Sequence, residues 1–350
     1  RATNLVYTRR LLEGRHGTER TCKQIDYLLY LHFGFLTDHL SLYSSANNHL
    51  IAELLGLFII SANYKLPGRE KWLSKSFDWL MEELLKQTHS DGFTKEQSTH
   101  YHAEVMNMYL TVLAEAEHTG LKVPEAIKER LFNMGEFMCR MMDGHSHPLQ
   151  IGDNDEGQLL YPYADPAFSV YGSICTDLAC MGEDTSYFVH YGRFDLRNYL
   201  LFGEQGLRRF EELQKKPTKT SPAVPENHFY KESGYCFFIS RKTRLVFDTG
   251  PLGFGKLAAH GHSDLLHFTF EAGGFPFIVD PGTFQYHSRY ERWRNYFRGS
   301  KSHNTISVNG LDHAVPGGRM IWLRHPEITE AYFEETDTTV ICSASHNAFV

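Results

Sequence analysis

Lys215-Lys-Pro-Thr-Lys-Thr-Ser-Pro-Ala-Val-Pro225 separates two parts of the chain that differ in the spacing of their apolar residues. The stretch contains three prolines and no apolar periodicity, which is typical of a linker between domains. Apolar residues recur at helical spacing before it and alternate, as in β-strands, after it. Helices followed by strands exclude a doubly wound α/β fold, in which the two kinds of element alternate.

The part before the linker predicts amphipathic helices joined by short polar, glycine or proline breaks. They are expected at residues 22–40, 47–64, 70–87, 98–118, 124–142, 165–182 and 194–214. Short connections make successive helices antiparallel neighbours, as in a bundle, a solenoid or a closed toroid. No strict sequence repeat is visible, which favours the toroid. We therefore predict an α/α toroid, an incomplete barrel of antiparallel helical hairpins, over residues 1–214.

The part after the linker, which we place at residues 215–227, predicts an antiparallel β-sandwich over residues 228–350. Strands are expected at 235–240, 245–248, 266–271, 276–280, 305–308, 328–334 and 339–343. Glycine and aspartate turns separate these runs, as in a sheet of consecutive hairpins. The last strand pattern runs into the final residues, so we expect a sandwich truncated at its C-terminus. The chain is expected to be a fragment or a processed piece, since it begins at Arg1 rather than Met.

Composition excludes several classes of protein. The 350 residues are 42% hydrophobic and 22% charged, which is ordinary for a globular protein. A net charge of −7 argues against a nucleic-acid-binding protein, and no apolar run is long enough to span a bilayer. The six cysteines form no Cys-x-x-Cys pair, which excludes a disulfide scaffold and a cysteine zinc finger. Twenty histidines and 14% aromatic residues are typical of sites where sugars stack and protons move.

Three short motifs in the second part of the chain combine histidine with aspartate. They are His260-Gly-His-Ser-Asp264, Val279-Asp-Pro-Gly-Thr283 and Ser302-His-Asn-Thr305. A His-x-His at the start of a strand would direct both imidazoles to one face. His262, Asp280 and His303 make a plausible three-ligand zinc set. The alternative is that these are turn residues, since Asp-Pro-Gly is a strong turn signal.

Two helix starts in the first part carry polar clusters. Asn47, Asn48 and His49 precede a strongly apolar helix, where they could present an amide to a carboxylate or simply cap the helix. Gln97, His100, Tyr101 and His102 open a later helix with more proton-handling groups than packing needs. The alternative there is that Tyr101 is half-buried with its hydroxyl in a polar rim.

The run from Tyr286 to Lys301 combines arginine with aromatic residues. It carries Arg289, Arg292, Arg294, Arg298 and Lys301 against a single acidic residue, Glu291. Such a run is usually a solvated loop, but its Tyr, Trp and Phe residues better fit a groove for an anionic chain that can stack.

Asp153 and Asp155 lie in an acidic loop. They could be a glycosidase acid/base pair, a calcium loop or a turn at the toroid rim. We favour the structural or subsite role.

Taken together, the chain resembles the heparinase II/III-like polysaccharide lyases over nearly its whole length. The resemblance rests on the following motifs in this order: Asn47-Asn-His49, Gln97-Ser-x-x-Tyr-His102, His260-x-His-x-Asp264, Asp280-Pro-Gly-Thr283, an aromatic and arginine run, and Ser302-His-Asn-Thr305. It implies a toroid packed on an antiparallel β-sandwich, with the substrate cleft between them. It also implies a carbon–oxygen lyase that cleaves acidic polysaccharides by β-elimination at uronic acids, and often a zinc site.

The resemblance assigns roles to individual residues. Asn47 or Asn48, with His49 beside it, would neutralise the uronate carboxylate, while Tyr101 and His260 would be catalytic. The zinc ligands would be His262, Asp280 and His303, in a structural site. A second tyrosine could be Tyr286, Tyr290 or Tyr296; the spacing does not choose, and we take Tyr290 as catalytic. The expected substrate-binding residues are Gln97, His102, Tyr286, Arg294, Tyr296 and Arg298.

The chemistry is consistent with these residue types. Removing the C5 proton of a uronate needs donors that stabilise the developing enolate-like dianion, each contributing roughly 3–4 kcal/mol. A base and an acid, supplied by Tyr and His, each contribute about 10²–10⁴-fold. Heparin or heparan sulfate is the first expected substrate and alginate the second. The alternatives are a glycoside hydrolase using Asp153 and Asp155, a non-catalytic binder of acidic glycans, and a metal-dependent hydrolase built on His260 and His262.

The expected partner is therefore an acidic polysaccharide, with neither nucleic acid nor membrane insertion. The family resemblance implies a periplasmic or secreted protein. The sequence does not indicate an oligomeric state.

Overall fold

The computed structural model describes residues 1–142, 147–160, 165–218, 227–240, 242–287 and 289–350. Its long helices are α1 (Ala2–Leu12), α2 (Glu19–Asp38), α3 (Asn48–Asn63), α4 (Arg69–Gln87), α5 (Thr99–Thr119), α6 (Glu125–Met141), α7 (Val170–Gly182) and α8 (Leu196–Gln214). Each helix expected from periodicity is present. In the described part of the chain, no helix is both long enough and apolar enough to cross a bilayer.

Two helices differ from the sequence-based expectation, one by its presence and one by its starting residue. Helix α1 was not predicted, because it is short and its buried face consists of only four residues. Helix α7 begins five residues later than expected. Asp165 accepts a hydrogen bond from the backbone of Ala167 and forms a turn, and the Ser169 hydroxyl then caps the helix.

Contacts divide the chain into two compact units. The first unit contains residues 1–86, 104–129 and 158–217, and the second contains 87–103, 130–157 and 218–350. The start of α5 and the end of α6 therefore belong with the β-rich part of the chain, which a simple boundary near residue 214 does not anticipate. Of the predicted linker at 215–227, residues 219–226 lie outside the described residues.

The first unit is helical, and α3 forms its most apolar element. Leu54, Leu55 and Phe58 are completely buried within that helix, which is apolar around most of its circumference, as expected for a central helix. One ion pair lies in its interior: Arg197 Nη1 lies 2.6 Å from Asp177 Oδ2, and both side chains are inaccessible. A buried ion pair of this kind satisfies its charges and fixes the relative position of α7 and α8.

The second unit is built on an antiparallel five-stranded sheet in sequential order. Its strands are β1 (Asn227–Tyr230), β2 (Tyr235–Ile239), β3 (Thr243–Asp248), β4 (Phe268–Ala272) and β5 (Phe275–Ile278). Two hairpins follow, one from β6 (Val315–Pro316) and β7 (Trp322–Arg324), the other from β8 (Ile328–Glu335) and β9 (Val340–His346). A short helix, α9 (Glu291–Phe297), lies between β5 and β6.

The β8–β9 hairpin packs on the five-stranded sheet, which gives the two-layer antiparallel arrangement expected from the sequence. The rings of Phe229 and Phe333 stack with centroids 5.6 Å apart, and a disulfide joins Cys236 of β2 to Cys342 of β9. This single bond was not predicted, because its two cysteines are separated by 106 residues. The expected strand at 305–308 is absent: Val308 forms only an isolated bridge to Leu311 across a tight turn.

The core of this unit explains why two segments of the helical half of the chain join it. Phe93, which follows α4, stacks on Phe137 of α6 with centroids 4.3 Å apart. Tyr235 of β2 meets the edge of Phe93 at 5.4 Å. Aromatic contacts of this kind bury large areas and dominate the packing energy of a core. The segments that carry the functional motifs are thereby attached to the sheet.

Candidate active site

Two tyrosines and a histidine form a continuous chain of polar contacts in the second unit. The Tyr101 hydroxyl donates to the Tyr286 hydroxyl at 3.3 Å, and that oxygen lies 3.4 Å from Nδ1 of His260. The Tyr101 and His260 rings are in contact, with centroids only 3.8 Å apart and planes tilted by 31°. Tyr101 and His260 are buried, while Tyr286 is half-buried. Three groups that can carry a proton are therefore connected by two successive polar contacts.

The start of α5 is bonded to the loop that follows α6. The Ser98 hydroxyl caps the first turn by accepting from the backbone N–H of Tyr101, and it donates to the carbonyl of Asp153 at 2.6 Å. The backbone N–H of Asp153 in turn donates to the carbonyl of His260 at 2.9 Å. Tyr101 and His260 thus hold their positions through bonds to the same loop.

Gly152 permits this close approach. Its φ is +60°, and a Cβ there would overlap the carbonyl oxygen of Gln97 and lie 2.7 Å from that of His260. Only glycine adopts such a conformation without strain and leaves room for two carbonyl groups. Gln97 also has a positive φ, of 52°, so the helix start opposite Gly152 is itself strained.

Asp153 connects the polar chain to helix α9. Its carboxylate, completely buried, accepts two hydrogen bonds from the guanidinium of Arg294, one of them at 2.6 Å. Asp153 Oδ1 lies 3.0 Å from His262 Nε2, and Oδ2 lies 3.6 Å from His260 Nδ1. Burial alone would raise the pKa of Asp153, but hydrogen bonds from both histidines and the charge of Arg294 hold that pKa well below its usual range.

The opposite nitrogen of His260 faces a second carboxylate. His260 Nε2 lies 3.3 Å from Oε2 of Glu96, which is only 2% exposed. Carboxylates therefore contact both sides of the imidazole, and together they fix the orientation of its ring. Sequence analysis did not single out Glu96, although it directly precedes the Gln97 motif.

Both tyrosines retain their protons strongly. Burial and the neighbouring Tyr286 hydroxyl raise the pKa of Tyr101 far above its ordinary value. Burial raises the pKa of Tyr286 to about 12. At neutral pH both hydroxyls are consequently proton donors rather than bases.

Asp155 does not form an acid/base pair with Asp153. Asp155 Oδ1 lies 3.0 Å from Nε2 of His100, and this contact lowers the pKa of Asp155 to about 2. A glycosidase acid needs a raised pKa, whereas the pKa values of both carboxyl groups are lowered. The structure thus disfavours the hydrolase interpretation and agrees with a structural role for this loop.

His260 and His262 lie in an irregular segment between β3 and β4, not at the start of a strand as predicted. Gly261 causes this, because a Cβ there would overlap the carbonyl group of Leu252. The strand begins only at Phe268. Both imidazoles nevertheless reach the same carboxylate, that of Asp153.

A cluster of buried histidines and aspartates lies beside this segment. His303 Nδ1 lies 3.0 Å from Asp280 Oδ2, and His267 Nε2 lies 3.3 Å from the same oxygen. Among the described residues, two sets of three have ligand atoms close enough for one metal ion: His262, Asp264 and His303, and His267, Asp280 and His303. The predicted set of His262, Asp280 and His303 is therefore divided between them. Neither His267 nor Asp264 was predicted as a ligand from the sequence, although Asp264 ends the motif His260-Gly-His-Ser-Asp264.

The cluster suits a divalent metal such as zinc. Within the described part of the chain, the buried ring nitrogens His262 Nδ1 and His303 Nε2 have no hydrogen-bond partner. Unpaired buried nitrogen atoms are costly unless they bind a ligand. Two imidazoles and a carboxylate are a common donor set for zinc. Hydrogen bonding from His303 lowers the pKa of Asp280 to about 2 although burial opposes it, so that carboxylate is charged.

The structure selects among the three tyrosines that the sequence left open. Tyr286 contacts both Tyr101 and His260. Tyr290, taken above as catalytic, lies at the start of α9 with 56% of its surface exposed, and Tyr296 is 48% exposed. The spacing in sequence could not show this, because the loop folds Tyr286 back while α9 carries the other two outward.

Four predicted substrate-binding residues lie in the interior instead. Arg294 and Arg298 are each 1% exposed, and the latter binds the carbonyls of Gly318 and Arg319. The middle of the basic run forms helix α9, which these two residues anchor, and is not an open loop. Gln97 is 3% exposed, and His102 is 1% exposed with Nε2 on the carbonyl of Met134. Burial lowers the pKa of His102 to about 4, as expected for a neutral core histidine.

The cluster at the start of α3 belongs to the first unit. The Asn47 side-chain oxygen accepts from the backbone N–H of His49 at 3.0 Å and caps the helix. Asn48 is buried and His49 is exposed. Capping uses the oxygen of Asn47, and its amide NH₂ group is a donor that could serve a ligand.

Comparison with known proteins adds independent information. Residues 25–160 match the family described as Heparinase II/III N-terminus, and residues 222–350 match the one described as Heparinase II/III-like, C-terminal. A heparin-sulfate lyase of Bacteroides thetaiotaomicron is 34% identical over 309 residues, which are 82% of this chain and 40% of that protein.

Solved structures show the same fold at low sequence identity. The crystal structure of heparinase III has a TM-score of 0.68 at 18% identity and covers 96% of this chain and 48% of its own. The crystal structure of heparan sulfate lyase HepC from Pedobacter heparinus has a TM-score of 0.64 at 16% identity. The match covers 100% of this chain and 49% of that protein. The chain spans less than half the length of each of these relatives.

Proposed function

Since the chain belongs to the heparinase II/III family, we propose that it cleaves a uronic-acid-containing glycosaminoglycan by β-elimination. The observation that carries this proposal is the chain of contacts from Tyr101 through Tyr286 to His260. A hydrolase would need a carboxyl pair of different acidities, whereas elimination needs a base and an acid beside the sugar ring. This site offers one imidazole and two protonated phenols.

The raised pKa values of the two tyrosines suggest which residue is the base and which is the acid. His260 is the base that takes the C5 proton of the uronate as the C4–C5 double bond forms. A tyrosine, Tyr101 or Tyr286, gives its proton to the C4 oxygen as the C4–O bond breaks. Because the two hydroxyls are hydrogen-bonded to each other, the second can return a proton to the first. Glu96 and Asp153 orient the His260 ring during this exchange.

The uronate carboxylate must be stabilised while the C5 proton leaves. The Asn47 amide, with Asn48 and His49 beside it, is our proposed donor for this task. Each donor aimed at the developing charge would contribute roughly 3–4 kcal/mol to the transition state. The family resemblance and the residue types support this assignment.

A structural zinc is proposed for the histidine and aspartate cluster. When bound, it would cross-link the segments that present the site rather than activate water. His262 and His303 would supply imidazole nitrogens and Asp264 or Asp280 a carboxylate. His262 would then connect the metal to Asp153, and through it to His260.

Heparan sulfate or heparin is the first proposed substrate, in keeping with the names of the relatives, and alginate the second. A periplasmic or secreted location is also proposed. The Cys236–Cys342 disulfide supports it, since such bonds persist in oxidising compartments.

The test follows ultraviolet absorbance over time with heparan sulfate, heparin, hyaluronan and alginate. Elimination creates an unsaturated uronate, so absorbance should rise with at least one polymer. Tyr101→Phe and His260→Ala should each lower the rate by about 10²–10⁴-fold, and Tyr290→Phe should not. New reducing ends without absorbance would indicate hydrolysis, and binding without cleavage would indicate a glycan-binding protein; either result would overturn the proposal.

A further inference from the structure

Helix α9 and the loop before it expose several large aromatic side chains on one part of the second unit. The exposed fractions are 61% for Phe284, 56% for Tyr290, 41% for Trp293 and 48% for Tyr296. Phe284 and Trp293 meet edge to face at 6.1 Å, and Trp293 and Tyr296 at 6.3 Å. We call these four residues, with Arg289 and Arg292, the α9 platform. Aromatic side chains exposed together on a protein surface usually mark a binding site.

The two arginines add positive charge to these rings. The Arg292 guanidinium lies 5.5 Å from the Tyr290 ring centroid and 5.3 Å from that of Trp293, and Arg289 lies 5.9 Å from the Tyr290 ring. A guanidinium that faces a ring still offers its N–H edge to sulfate or carboxylate oxygens. The acidic residue of the helix, Glu291, pairs with Arg319 at 3.2 Å. The platform is therefore cationic on a chain of net charge −7.

The buried side of the same helix explains why the platform is rigid. Arg294 binds both oxygens of Asp153, and Arg298 binds the carbonyls of Gly318 and Arg319. These contacts anchor the middle of the short helix at Arg294 and its C-terminal end at Arg298. A pre-ordered surface loses less conformational entropy when it binds a ligand.

Arg294 also connects the platform to the candidate catalytic residues. Its guanidinium lies 5.2 Å from the centroid of the Tyr286 ring. The helix that presents the aromatic surface is thus fixed to the residues proposed to carry out the elimination. A polymer held by those residues continues beyond them, and its flanking sugars need a surface with both stacking faces and cations.

We propose that the α9 platform is a secondary binding surface for sulfated or carboxylated sugar chains, which holds the polymer outside the sugars that react. This inference rests on the proposed function for its role in cleavage, but binding can be tested without cleavage. The aromatic faces would stack on sugar rings, and Arg289 and Arg292 would bind the anionic groups.

The experiment measures the dissociation constant for heparan sulfate in the Tyr101→Phe background, with and without Trp293→Ala or Arg292→Gln. Each added substitution should weaken binding of long chains about tenfold and leave binding of a disaccharide unchanged. The effect of Arg292→Gln should shrink at high salt, because screening removes the charge interaction. In the otherwise unaltered protein, Trp293→Ala should raise KM for long chains with little change in kcat.

The matched controls are Tyr332→Ala and Arg324→Gln, which change an exposed aromatic and an exposed arginine outside the platform. Neither should alter binding. Unchanged binding in Trp293→Ala and Arg292→Gln would overturn the inference while cleavage by the unaltered protein still stood. Lost binding without cleavage of any polymer would support the platform and reject the lyase proposal. Equal affinity for duplex DNA would show an unselective polyanion surface and overturn the inference.

Discussion

At the scale of single residues, the buried carboxylate of Asp153 connects the candidate catalytic histidine to its surroundings. It pairs with Arg294 and contacts both His260 and His262. These three neighbours stabilise the charge of the carboxylate. Because Asp153 is completely buried, water cannot replace them. Asp153 is therefore a positioning residue, which acts through the histidine that it orients.

Asp153→Asn should be strongly destabilising, because it leaves the Arg294 guanidinium buried without its counter-charge. Breaking a buried pair in this way costs about 3–5 kcal/mol, measurable as a lower urea midpoint. Tyr101→Phe, which removes only a hydroxyl from the same site, is the control and should unfold close to the unaltered protein. An Asp153→Asn midpoint like that of the control would contradict the network described for this residue.

Asp155 contributes to the dependence of the free energy of unfolding on acidic pH. His100 lowers the pKa of Asp155 to about 2 in the folded protein, whereas the unfolded value is about 3.9. A lowered pKa contributes stability that is fully present above the unfolded value and is lost as pH falls through the folded value. The unaltered protein should thus exceed Asp155→Asn in stability at pH 6, and this difference should shrink between about pH 4 and pH 2. A constant difference over that range would show that Asp155 does not contribute to it.

At the scale of elements, Gly152 decides whether α5 and the His260 segment can approach. Gly152→Ala should destabilise the protein and lower activity, since its Cβ would meet the carbonyls of Gln97 and His260. Gly255→Ala is a matched control: its φ of +62° is similar, but a Cβ there would meet nothing within 4 Å. Strain from positive φ, about 1 kcal/mol, is common to both variants. Gly152→Ala should lose about 1–3 kcal/mol more of the free energy of unfolding than Gly255→Ala, because of the overlap with the two carbonyl groups. Equal unfolding midpoints for the two variants would refute this overlap.

Most elements could be predicted from the sequence, because periodicity reports which face of a helix or strand is buried. The long helices and the strands around Tyr235 and Ile328 follow from that pattern. Helix α9 could not be predicted in this way, since its buried residue is Arg294, which pairs with Asp153, 141 positions away in sequence, and the buried Arg298 caps its C-terminus. The His260 segment was expected to be a strand because nothing local shows that Leu252 would approach Gly261.

The candidate site was only partly accessible from the sequence. Residue types and spacing identified Tyr101, His260 and the histidine and aspartate cluster. The choice of Tyr286 over Tyr290, and the roles of Glu96 and Asp153, depend on contacts between segments more than 100 residues apart. No local pattern encodes such contacts.

At the scale of the whole molecule, the two units are not consecutive stretches of chain. Residues 87–103 and 130–157 pack with residues 218–350, because Phe93 and Phe137 supply aromatic rings to the core beneath the sheet. The sequence shows the apolar character of these residues, but it does not show which of the two cores receives them.

The metal proposed for the cluster can be tested through stability. Chelation should lower the unfolding temperature, since a ligand bound only to the folded state stabilises it by mass action. Asp264→Asn and Asp280→Asn, with zinc content measured for each, will show which carboxylate is a ligand. A metal content near zero in the unaltered protein after growth with zinc would refute the site, and the unpaired nitrogens of His262 and His303 would need another partner.

The disulfide between Cys236 and Cys342 closes a ring of the chain that spans 106 residues. Within this ring lie His260, Asp280, Tyr286, Arg294 and His303, so every proposed functional residue from the sheet-forming half is inside one covalent loop. A protease that cuts a surface loop anywhere in the ring opens it without releasing a fragment. The nicked molecule would keep its mass on a non-reducing gel and separate into two pieces only after reduction. Covalent closure of this kind suits a protein exposed to degradative enzymes.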